Sequence, residues 1–276
     1  MAVNLPRAAF SHMAQWRGVR VLNLDVTGTM LFHRDPVAEV YCRCAASCGS
    51  KPPSVDAMMP AFKAAFKSCL ERWPCYGHSE GLSSQQWWKN CVGTAFDEAG
   101  ARYSDAEFNR VFRAIYQHYG CPEAYKVYDD VVPFLEWASQ HYCLGIVSNN
   151  CDRLPDNLLP ALGLHKYFSF FVVSREVGVE KPHAEIFRTA RREASIRLGE
   201  AIEPHQVLHL GDNDAVDYAG ARAAGHHAAL VERHGVVQYQ SWLDPPHYEG
   251  SGQEEHIVVW SLDEIRRRLE RSTAKP

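Results

Sequence analysis

A carboxylate at the end of a largely apolar run is the first group in this 276-residue chain that could do chemistry. Asp25 follows residues 21–24 and precedes Thr27, Gly28 and Thr29. A side chain at the tip of a buried strand is held rigidly and can meet a ligand, so Asp25 is a candidate nucleophile. Hydrolysis of a phosphate ester through such a nucleophile is faster with a second group that gives and takes a proton, and Thr27, two residues later, offers no such acid.

Three further segments carry polar side chains at predicted strand ends or helix starts. They contain Ser148 with Asn149, then Lys181, then Asp212 with Asp217. Each has an ordinary structural explanation, because Ser148 and Asn149 could cap a helix and Lys181 could be a solvated loop residue. Four such segments in one chain favour a shared site over four coincidences.

The elements that must position these residues follow from the apolar pattern. Short apolar runs predict buried strands at residues 20–25, 142–148, 168–174, 206–211 and 227–231. Helical patterns alternate with them at residues 129–140, 152–162, 183–197 and 214–224. A last strand and helix are predicted at residues 256–260 and 261–271, after a loop at 234–252. This alternation predicts an α/β fold, a Rossmann-like parallel sheet that binds ligands beyond the carboxyl ends of its strands.

Residues 35–122 interrupt the alternation with consecutive helical patterns and no strand signal. Residues that commonly precede helices mark the starts after the first: Ser54, Ser83 or Ser84, and Ser104, which is paired with Glu107. Pro60 is predicted to bend or delay the second helix. The sequence therefore predicts an N-terminal tail at 1–17, a core formed by 18–34 and 123–276, and an inserted all-helical cap domain at 35–122.

Taken together, the four segments resemble the haloacid dehalogenase-like hydrolase superfamily. Its core pattern is an Asp-x-Asp-x-Thr-type loop, a Ser or Thr, a Lys, and a Gly-Asp-x-x-x-x-Asp loop. Here these are residues 25–29, Ser148, Lys181 and residues 211–217. The resemblance covers residues 20–32 and 126–271, and the helical insertion resembles the cap that members carry between the first two motifs.

Four more stretches look closest to one group of that superfamily, the haloacid dehalogenase-like hydrolase domain-containing protein 3 group. They are Tyr76-Gly77, Gly81-Leu82, residues 86–88 and residues 209–213. Three of the four lie in the predicted third cap helix and the loop before it, so the resemblance extends beyond the catalytic motifs.

The resemblance implies that Asp25 attacks phosphorus in a small phosphorylated metabolite and becomes an aspartyl-phosphate. Such an intermediate splits one difficult displacement into two easier ones. A Mg2+ cofactor is expected, because two anions do not approach each other without charge neutralisation. Its implied ligands are the carboxylates of Asp25 and Asp212 and the backbone carbonyl of Thr27, with water and phosphate completing the shell.

Other residues are candidates for binding the transferring phosphoryl group. Lys181 offers a positive charge, while Ser148, Asn149 and Thr29 offer hydrogen-bond donors beside the backbone amides of the first loop. Asp217 is predicted to orient Lys181 or a metal-bound water rather than to contact the metal. The implied catalytic set is Asp25, Thr27, Ser148, Lys181 and Asp217.

Thr27 is the departure from the family pattern that matters most for activity. In the superfamily's phosphatases an Asp at this position protonates the leaving oxygen and then activates water, and Thr has no comparable acidity or basicity. The sequence therefore predicts a phosphatase-like hydrolase that is slow on alkyl phosphates. One alternative is a catalytically weak module that binds phosphate and Mg2+ or a partner. The other is a metal-independent 2-haloacid dehalogenase, which also lacks this acid but is disfavoured by Asp212, a metal-type ligand.

Polar residues at the hinge and in a glycine-bounded loop of the cap could reach over the site: His33, Arg34, Tyr76, His78 and Glu80. His78 is the candidate that we add to the substrate-binding set. The aromatic stripe formed by Trp87, Trp88 and Phe96 is predicted to be the core of the cap. A cap that closes over the site would exclude water from the reaction.

Composition limits the partners of this chain. It is 46% hydrophobic and 22% charged with a formal net charge of -4, and it offers no basic stripe for nucleic acid. No window approaches the roughly 18 apolar residues of a membrane span, so no membrane partner is expected. The oligomeric state is left open by the pattern.

Two features of the sequence bear on its location. Nine cysteines without a signal peptide predict reduced thiols in an intracellular, cytoplasmic protein. The first 24 residues lack Asp and Glu but contain Arg7, Arg17 and Arg20, a composition compatible with an organellar transit peptide. A loose basic tail explains the same composition and is the favoured interpretation.

Overall fold

The computed structural model describes residues 16–233 and 257–273 of the chain. Its eight strands within those residues are β1 (Val21–Leu24), β2 (Leu31–His33), β3 (Tyr125–Val127), β4 (Cys143–Ser148), β5 (Phe170–Val173), β6 (Val207–Gly211), β7 (His227–Val231) and β8 (Val258–Val259). Six of them form one sheet in the order β5-β4-β1-β6-β7-β8. Every neighbouring pair in that sheet is parallel, which confirms the predicted α/β class.

The central strands of the sheet are buried along their whole length. Every residue of β1, β4 and β6 is buried, as expected for a parallel sheet with helices on both faces. In the register of the sheet, Leu24 lies opposite Ile146 on one side and Leu210 on the other. The carboxyl ends of these three strands therefore meet at one edge, where the polar residues that follow them come together.

Seven helices of eight residues or more lie in the described part of the chain: α1 (Val37–Ser47), α2 (Val55–Arg72), α3 (Ser84–Glu98), α4 (Asp105–His118), α5 (Val131–Ala138), α6 (Ala184–Leu198) and α7 (Leu262–Thr273). The first four are consecutive and pack around one aromatic core that contains Tyr41, Trp87 and Phe96. The predicted run of helices without strands is therefore present between β2 and β3.

The cap helices begin where the sequence indicates because serine side chains accept hydrogen bonds from their first turns. Ser54 accepts from the backbone N–H of Ala57, and a complete capping box joins Ser104 and Glu107. Pro60 lies inside α2 and does not delay its start, so that part of the prediction is wrong. The Ser54 cap fixes the start, and Pro60 is near enough to it that its missing N–H leaves most of the helix intact.

Several short elements differ from the sequence prediction. Strands β2 and β3 pair antiparallel where the chain leaves the core and returns to it, and neither was predicted. The helices expected after β4 and β6 begin with wide π-type turns at Leu154–Leu158 and Asp214–Tyr218 and continue as short α-helical segments. Such wide turns are frequent at functional sites. The strand predicted at 256–260 shortens to β8 at the sheet edge.

Most of the predicted tail and the predicted loop at 234–252 lie outside the described residues. Within the described ranges, every helix is too short or too polar to cross a lipid bilayer. All nine cysteines of the chain are free thiols.

Candidate active site

The site forms at the edge where the central strands end. Asp25 follows β1, and its backbone N–H donates to the carbonyl of Leu210 in β6 at 2.9 Å, which ties the first loop to the sheet. Ser148 is the last residue of β4 and is buried, while Asp212 directly follows β6. The parallel register therefore brings together three segments that are far apart in sequence.

A buried ammonium joins two carboxylates at the centre of the site. Lys181 Nζ donates to Asp25 Oδ1 at 2.7 Å and to Asp217 Oδ1 at 2.6 Å, and all three residues are buried. Burial alone would lower the pKa of Lys181, but the charges of Asp217 and Asp25 outweigh it and raise that pKa above its ordinary value. Lys181 is therefore a fixed positive charge beside the candidate nucleophile.

His209 extends this chain of contacts and was missed by the sequence prediction. Its Nε2 lies 2.8 Å from Asp217 Oδ1, and its side chain is fully buried in β6. Burial alone would raise the pKa of Asp217, but the charge of Lys181 and the hydrogen bond with His209 lower it to about 2. The available signal was a single histidine within an otherwise apolar strand, at the position two residues before Gly211.

Asn149 holds the backbone of the segment that carries Lys181. Its Oδ1 accepts from the Lys181 N–H at 2.7 Å, and its Nδ2 donates to the Lys181 carbonyl at 2.9 Å. These two hydrogen bonds engage the side-chain carboxamide of Asn149, which was predicted from the sequence to bind the substrate. The Asn149 side chain therefore positions the lysine in this structure.

Three carboxylates converge at the site and form a possible metal centre. One oxygen atom from each of Asp25, Asp212 and Asp217 lies within 4.8 Å of the others. Both oxygens of Asp217 are already engaged, since Oδ1 contacts Lys181 and His209 and Oδ2 accepts from the backbone N–H of Asn213 at 3.2 Å. This leaves Asp25 and Asp212 as the carboxylates with the most capacity for a hard cation.

Asp212 is held against the first loop. Thr29 Oγ1 donates to Asp212 Oδ1 at 3.1 Å, so Thr29 supports this carboxylate. Gly28 has a φ of +88°, and a Cβ atom there would meet Asp212 Oδ2 at 2.1 Å. Although Asp212 is exposed to solvent on one side, crowding by protein atoms and then the charges of Asp25 and Asp217 raise its pKa to about 8. Repulsion of this kind is relieved by a bound cation, so the donor set fits Mg2+.

A cavity of about 340 Å³ lies between the sheet edge that carries the candidate site and the cap. Thr27, Asn149 and Asn213 line it on the core side, and residues from the cap helices close the other side. Tyr76 spans the boundary, because it lines the cavity and its hydroxyl donates to the Asn149 carbonyl at 3.2 Å. The predicted reach of Tyr76 over the site is therefore present.

The turn that carries Tyr76 has unusual backbone geometry. Cys75 and Tyr76 have φ angles of 49° and 55°, in the left-handed region that residues other than glycine rarely adopt. Two such residues in succession store strain, which persists where surrounding contacts require it. Here the conformation brings the Tyr76 side chain from the cap to the end of β4.

Three other residues, from the hinge and the cap, have contacts that the sequence did not predict. His78 Nδ1 is 2.7 Å from the carbonyl of Arg175, and its exposed ring does not line the cavity. Arg34 donates to the carbonyls of Glu123 and Tyr125, where it braces the β2–β3 ribbon. Trp88 packs against the cap core beside Trp87, as predicted, but it is only half-buried and also lines the cavity.

Comparisons with known proteins match this architecture. A model of the haloacid dehalogenase-like hydrolase family matches residues 19–225. Haloacid dehalogenase-like hydrolase domain-containing protein 3 of Homo sapiens is 34% identical over 221 residues, which are 79% of this chain and 84% of that protein. The resemblance to that group, drawn from four short stretches, is thus confirmed over most of the chain.

Solved structures show the same fold with different activities. A HAD phosphatase from Thermococcus onnurineus superposes with a TM-score of 0.57 at 22% identity, covering 93% of this chain and 100% of that one. A 2-haloacid dehalogenase from Pseudomonas syringae pv. Tomato DC3000 gives 0.60 at 19% identity, covering 92% and 99%. The fold therefore does not distinguish a phosphatase from a dehalogenase, and only the residues of the site can do so. With a family model over residues 19–225 and a relative at 34% identity, the chain belongs to the haloacid dehalogenase-like hydrolases.

Proposed function

We propose that this protein is a Mg2+-dependent phosphatase-like hydrolase that works through an aspartyl-phosphate on Asp25. The observation that carries the proposal is the meeting of Asp25 and Asp212 within 4.8 Å, beside the buried Lys181. A 2-haloacid dehalogenase displaces a halide from an uncharged carbon and has no use for a second carboxylate facing its nucleophile. A phosphate dianion, by contrast, requires cations at the point of attack.

The first step is attack by one oxygen of Asp25 on phosphorus. Oδ1 accepts from Lys181, which leaves Oδ2 as the attacking atom. The bond from phosphorus to the leaving oxygen breaks as the bond to Asp25 forms. Lys181, the Ser148 hydroxyl and the backbone amides after Asp25 stabilise the phosphoryl oxygens.

The residues that would hold Mg2+ are Asp25, Asp212 and the backbone carbonyl of Thr27. A bound ion would supply the charge neutralisation that lets the carboxylate approach a phosphate dianion. Asp217 keeps Lys181 in place through its 2.6 Å contact, and Thr29 does the same for Asp212 through its hydroxyl. These supporting contacts fix the two groups that meet the substrate.

The second step is attack by water on the aspartyl-phosphate, which releases phosphate and restores Asp25. Thr27 lines the cavity and stands where the family resemblance implies the acid and base of the superfamily's phosphatases, but it cannot protonate the leaving oxygen or deprotonate water. General acid and base assistance is worth about 100- to 10,000-fold, or about 3 to 5 kcal/mol of barrier. We therefore propose that turnover is slow. We also propose that the protein is intracellular and that its substrate is a small-molecule phosphate ester.

The test is a panel of phosphate esters assayed for phosphate release with Mg2+ and with a chelator. We expect Mg2+-dependent release by the unmodified protein and none by Asp25→Asn, because the nucleophile is lost. Thr27→Asp should accelerate release from alkyl esters by at least about tenfold, a part of the usual acid and base contribution.

Asp97→Asn is the matched control, since it changes an exposed aspartate of the cap that pairs with Arg102. It should behave like the unmodified protein. Undetectable release across the panel together with Mg2+ binding would favour a binding module. Chloride release from 2-haloacids in the presence of chelator would instead establish a dehalogenase.

A further inference from the structure

The cavity beside Thr27 is built mainly from aromatic and aliphatic side chains. Nine aromatic residues line it, and seven of them come from cap helices or the strained turn: Tyr41, Phe62, Phe66, Tyr76, Trp88, Phe112 and Tyr116. Its volume is about 340 Å³. Small-molecule pockets range from about 300 to 1,000 Å³, so this cavity lies at the small end of that range and suits a group of one or two rings.

The charged groups of the cavity are already committed. The Arg153 guanidinium lies 3.7 Å from the centre of the Tyr116 ring and donates to the Tyr116 carbonyl at 2.8 Å. Burial, and then the charge of His118, lowers the pKa of His33 to about 4, so that ring is neutral near pH 7. Glu180 accepts a hydrogen bond from the backbone of Cys75, although burial raises the pKa of its carboxyl. The cavity therefore favours an uncharged, largely apolar group over a second anion or a polyhydroxylated sugar.

Thr27 adds an independent constraint on the same group. Without an acid at this position, the leaving oxygen must depart unprotonated. A phenolic oxygen tolerates this, because the phenol of tyrosine has a pKa of about 10. An alkoxide does not, because its conjugate acid is about as weak as water, whose pKa is about 15.7.

We propose that the substrate is a small aryl phosphate monoester whose uncharged one- or two-ring leaving group occupies the aromatic cavity. This inference rests on the proposed function. Asp25 attacks phosphorus, the phosphorus–oxygen bond breaks, and the aryloxide leaves with the bonding electron pair and takes a proton from solvent. Water then attacks the aspartyl-phosphate, so that one aryl phosphate and one water give one phenol and one inorganic phosphate.

The first experiment compares two esters that differ in leaving oxygen but share a ring, phenyl phosphate and 2-phenylethyl phosphate. We expect kcat/KM to favour phenyl phosphate by at least about 100-fold in the unmodified protein. Thr27→Asp should reduce that preference at least about tenfold, because a restored acid helps the alkyl ester most. A series of substituted phenyl phosphates should likewise show a steep dependence of rate on phenol pKa that becomes shallow in Thr27→Asp.

The second experiment tests the cavity with 1-naphthyl phosphate and acetyl phosphate. Both have leaving groups that need no proton, but acetate is too small to contact the cap walls. Trp88→Ala should lower kcat/KM for 1-naphthyl phosphate at least about fivefold, mainly through KM, and leave acetyl phosphate within about twofold. Trp88→Phe should restore most of the loss, since it returns an aromatic wall.

The outcomes separate this inference from the proposed function. Release from glycerol or sugar phosphates that exceeds release from aryl esters, and is lost in Asp25→Asn, would overturn the aryl substrate and keep the function. An equal loss of kcat/KM for 1-naphthyl phosphate and acetyl phosphate in Trp88→Ala would also overturn it, since the cavity would then not bind the leaving group. Failure of every ester and of acetyl phosphate to release phosphate in an Asp25-dependent manner would overturn both.

Discussion

At the scale of single residues, a buried chain of four side chains fixes the candidate nucleophile. His209 contacts Asp217, Asp217 contacts Lys181, and Lys181 contacts Asp25, with distances between 2.6 and 2.8 Å. Asn149 holds the lysine backbone by two more hydrogen bonds. Buried charges of this kind are tolerable because each is paired and hydrogen-bonded. This series of buried contacts orients Asp25 without relying on flexible surface side chains.

Asp212 and Asp217 should therefore respond differently to removal of their charge. We expect Asp212→Asn to weaken Mg2+ binding by at least about 100-fold, because it removes a ligand. Asp217→Asn should weaken binding by no more than about tenfold, because it only loosens Lys181. Isothermal titration with Mg2+ measures both, with Asp97→Asn as the control and thermal unfolding as a check on folding. Equal weakening by the two substitutions would make Asp217 a metal ligand and contradict the division of roles.

At the scale of elements, local signals in the sequence specify where helices and strands begin. Ser104 and Glu107 form the expected capping box, and β1, β4 and β6 follow the apolar runs closely. The β2–β3 ribbon gives no comparable signal, because each strand has three residues and its partner lies about ninety positions away. Its stability comes from pairing across the hinge, which local propensity does not encode.

The difference between local sequence signals and contacts with distant segments also explains which site residues could be found from the sequence. Asp25, Ser148, Lys181 and Asp212 each follow or flank an element whose end the apolar pattern predicts, so their convergence could be predicted from the parallel register. Their finer roles depend on tertiary contacts. The engagement of the Asn149 carboxamide by Lys181, for example, joins residues thirty-two positions apart.

Burial decides the remaining differences between prediction and structure. From the sequence, His209 is only a single polar residue in an apolar strand. Its contact with Asp217, which the structure shows, connects it to the site. Trp88 packs against the cap core as predicted, and its second role as a wall of the cavity depends on the orientation of the helix. His78 is a candidate for substrate binding from its sequence position, but in the structure it contacts the carbonyl of Arg175. In each case the side chain's neighbour belongs to another element, and the sequence pattern carries no record of that neighbour.

At the scale of the whole molecule, one buried histidine links stability to pH. His226 is fully buried before β7 and packs edge-on against Phe187 at 6.2 Å between ring centres. Burial lowers its pKa from 6.5 to about 3, and electrostatic interaction with neighbouring basic residues adds to the shift: His209, Arg191, His227 and Arg188. The folded state thus holds the ring neutral at pH values where the unfolded chain protonates it.

This difference predicts a loss of stability on acidification. Above pH 6.5 the ring of His226 is neutral in both the folded and the unfolded state, so it does not lower the stability. As the pH drops from 6.5 towards about 3, only the unfolded chain takes up the proton, and the free energy of unfolding falls by up to about 1.4 kcal/mol per pH unit. His226→Leu should therefore flatten the slope of unfolding free energy against pH in this range, as measured by urea denaturation. His141→Leu, at an exposed histidine, should leave the slope unchanged. A slope that is the same in both variants would contradict the assignment to His226.

The central claim is that Asp25 becomes phosphorylated during turnover, and peptide mass spectrometry tests it most directly. The protein is mixed with acetyl phosphate and Mg2+, quenched in acid and digested with trypsin, which cleaves after Arg20 and Arg34. Because Thr27 cannot activate water, the account predicts a phosphoryl group on Asp25 in the peptide of residues 21–34, absent in Asp25→Asn. A peptide that stays unmodified, or a phosphoryl group found on another peptide, would contradict the account.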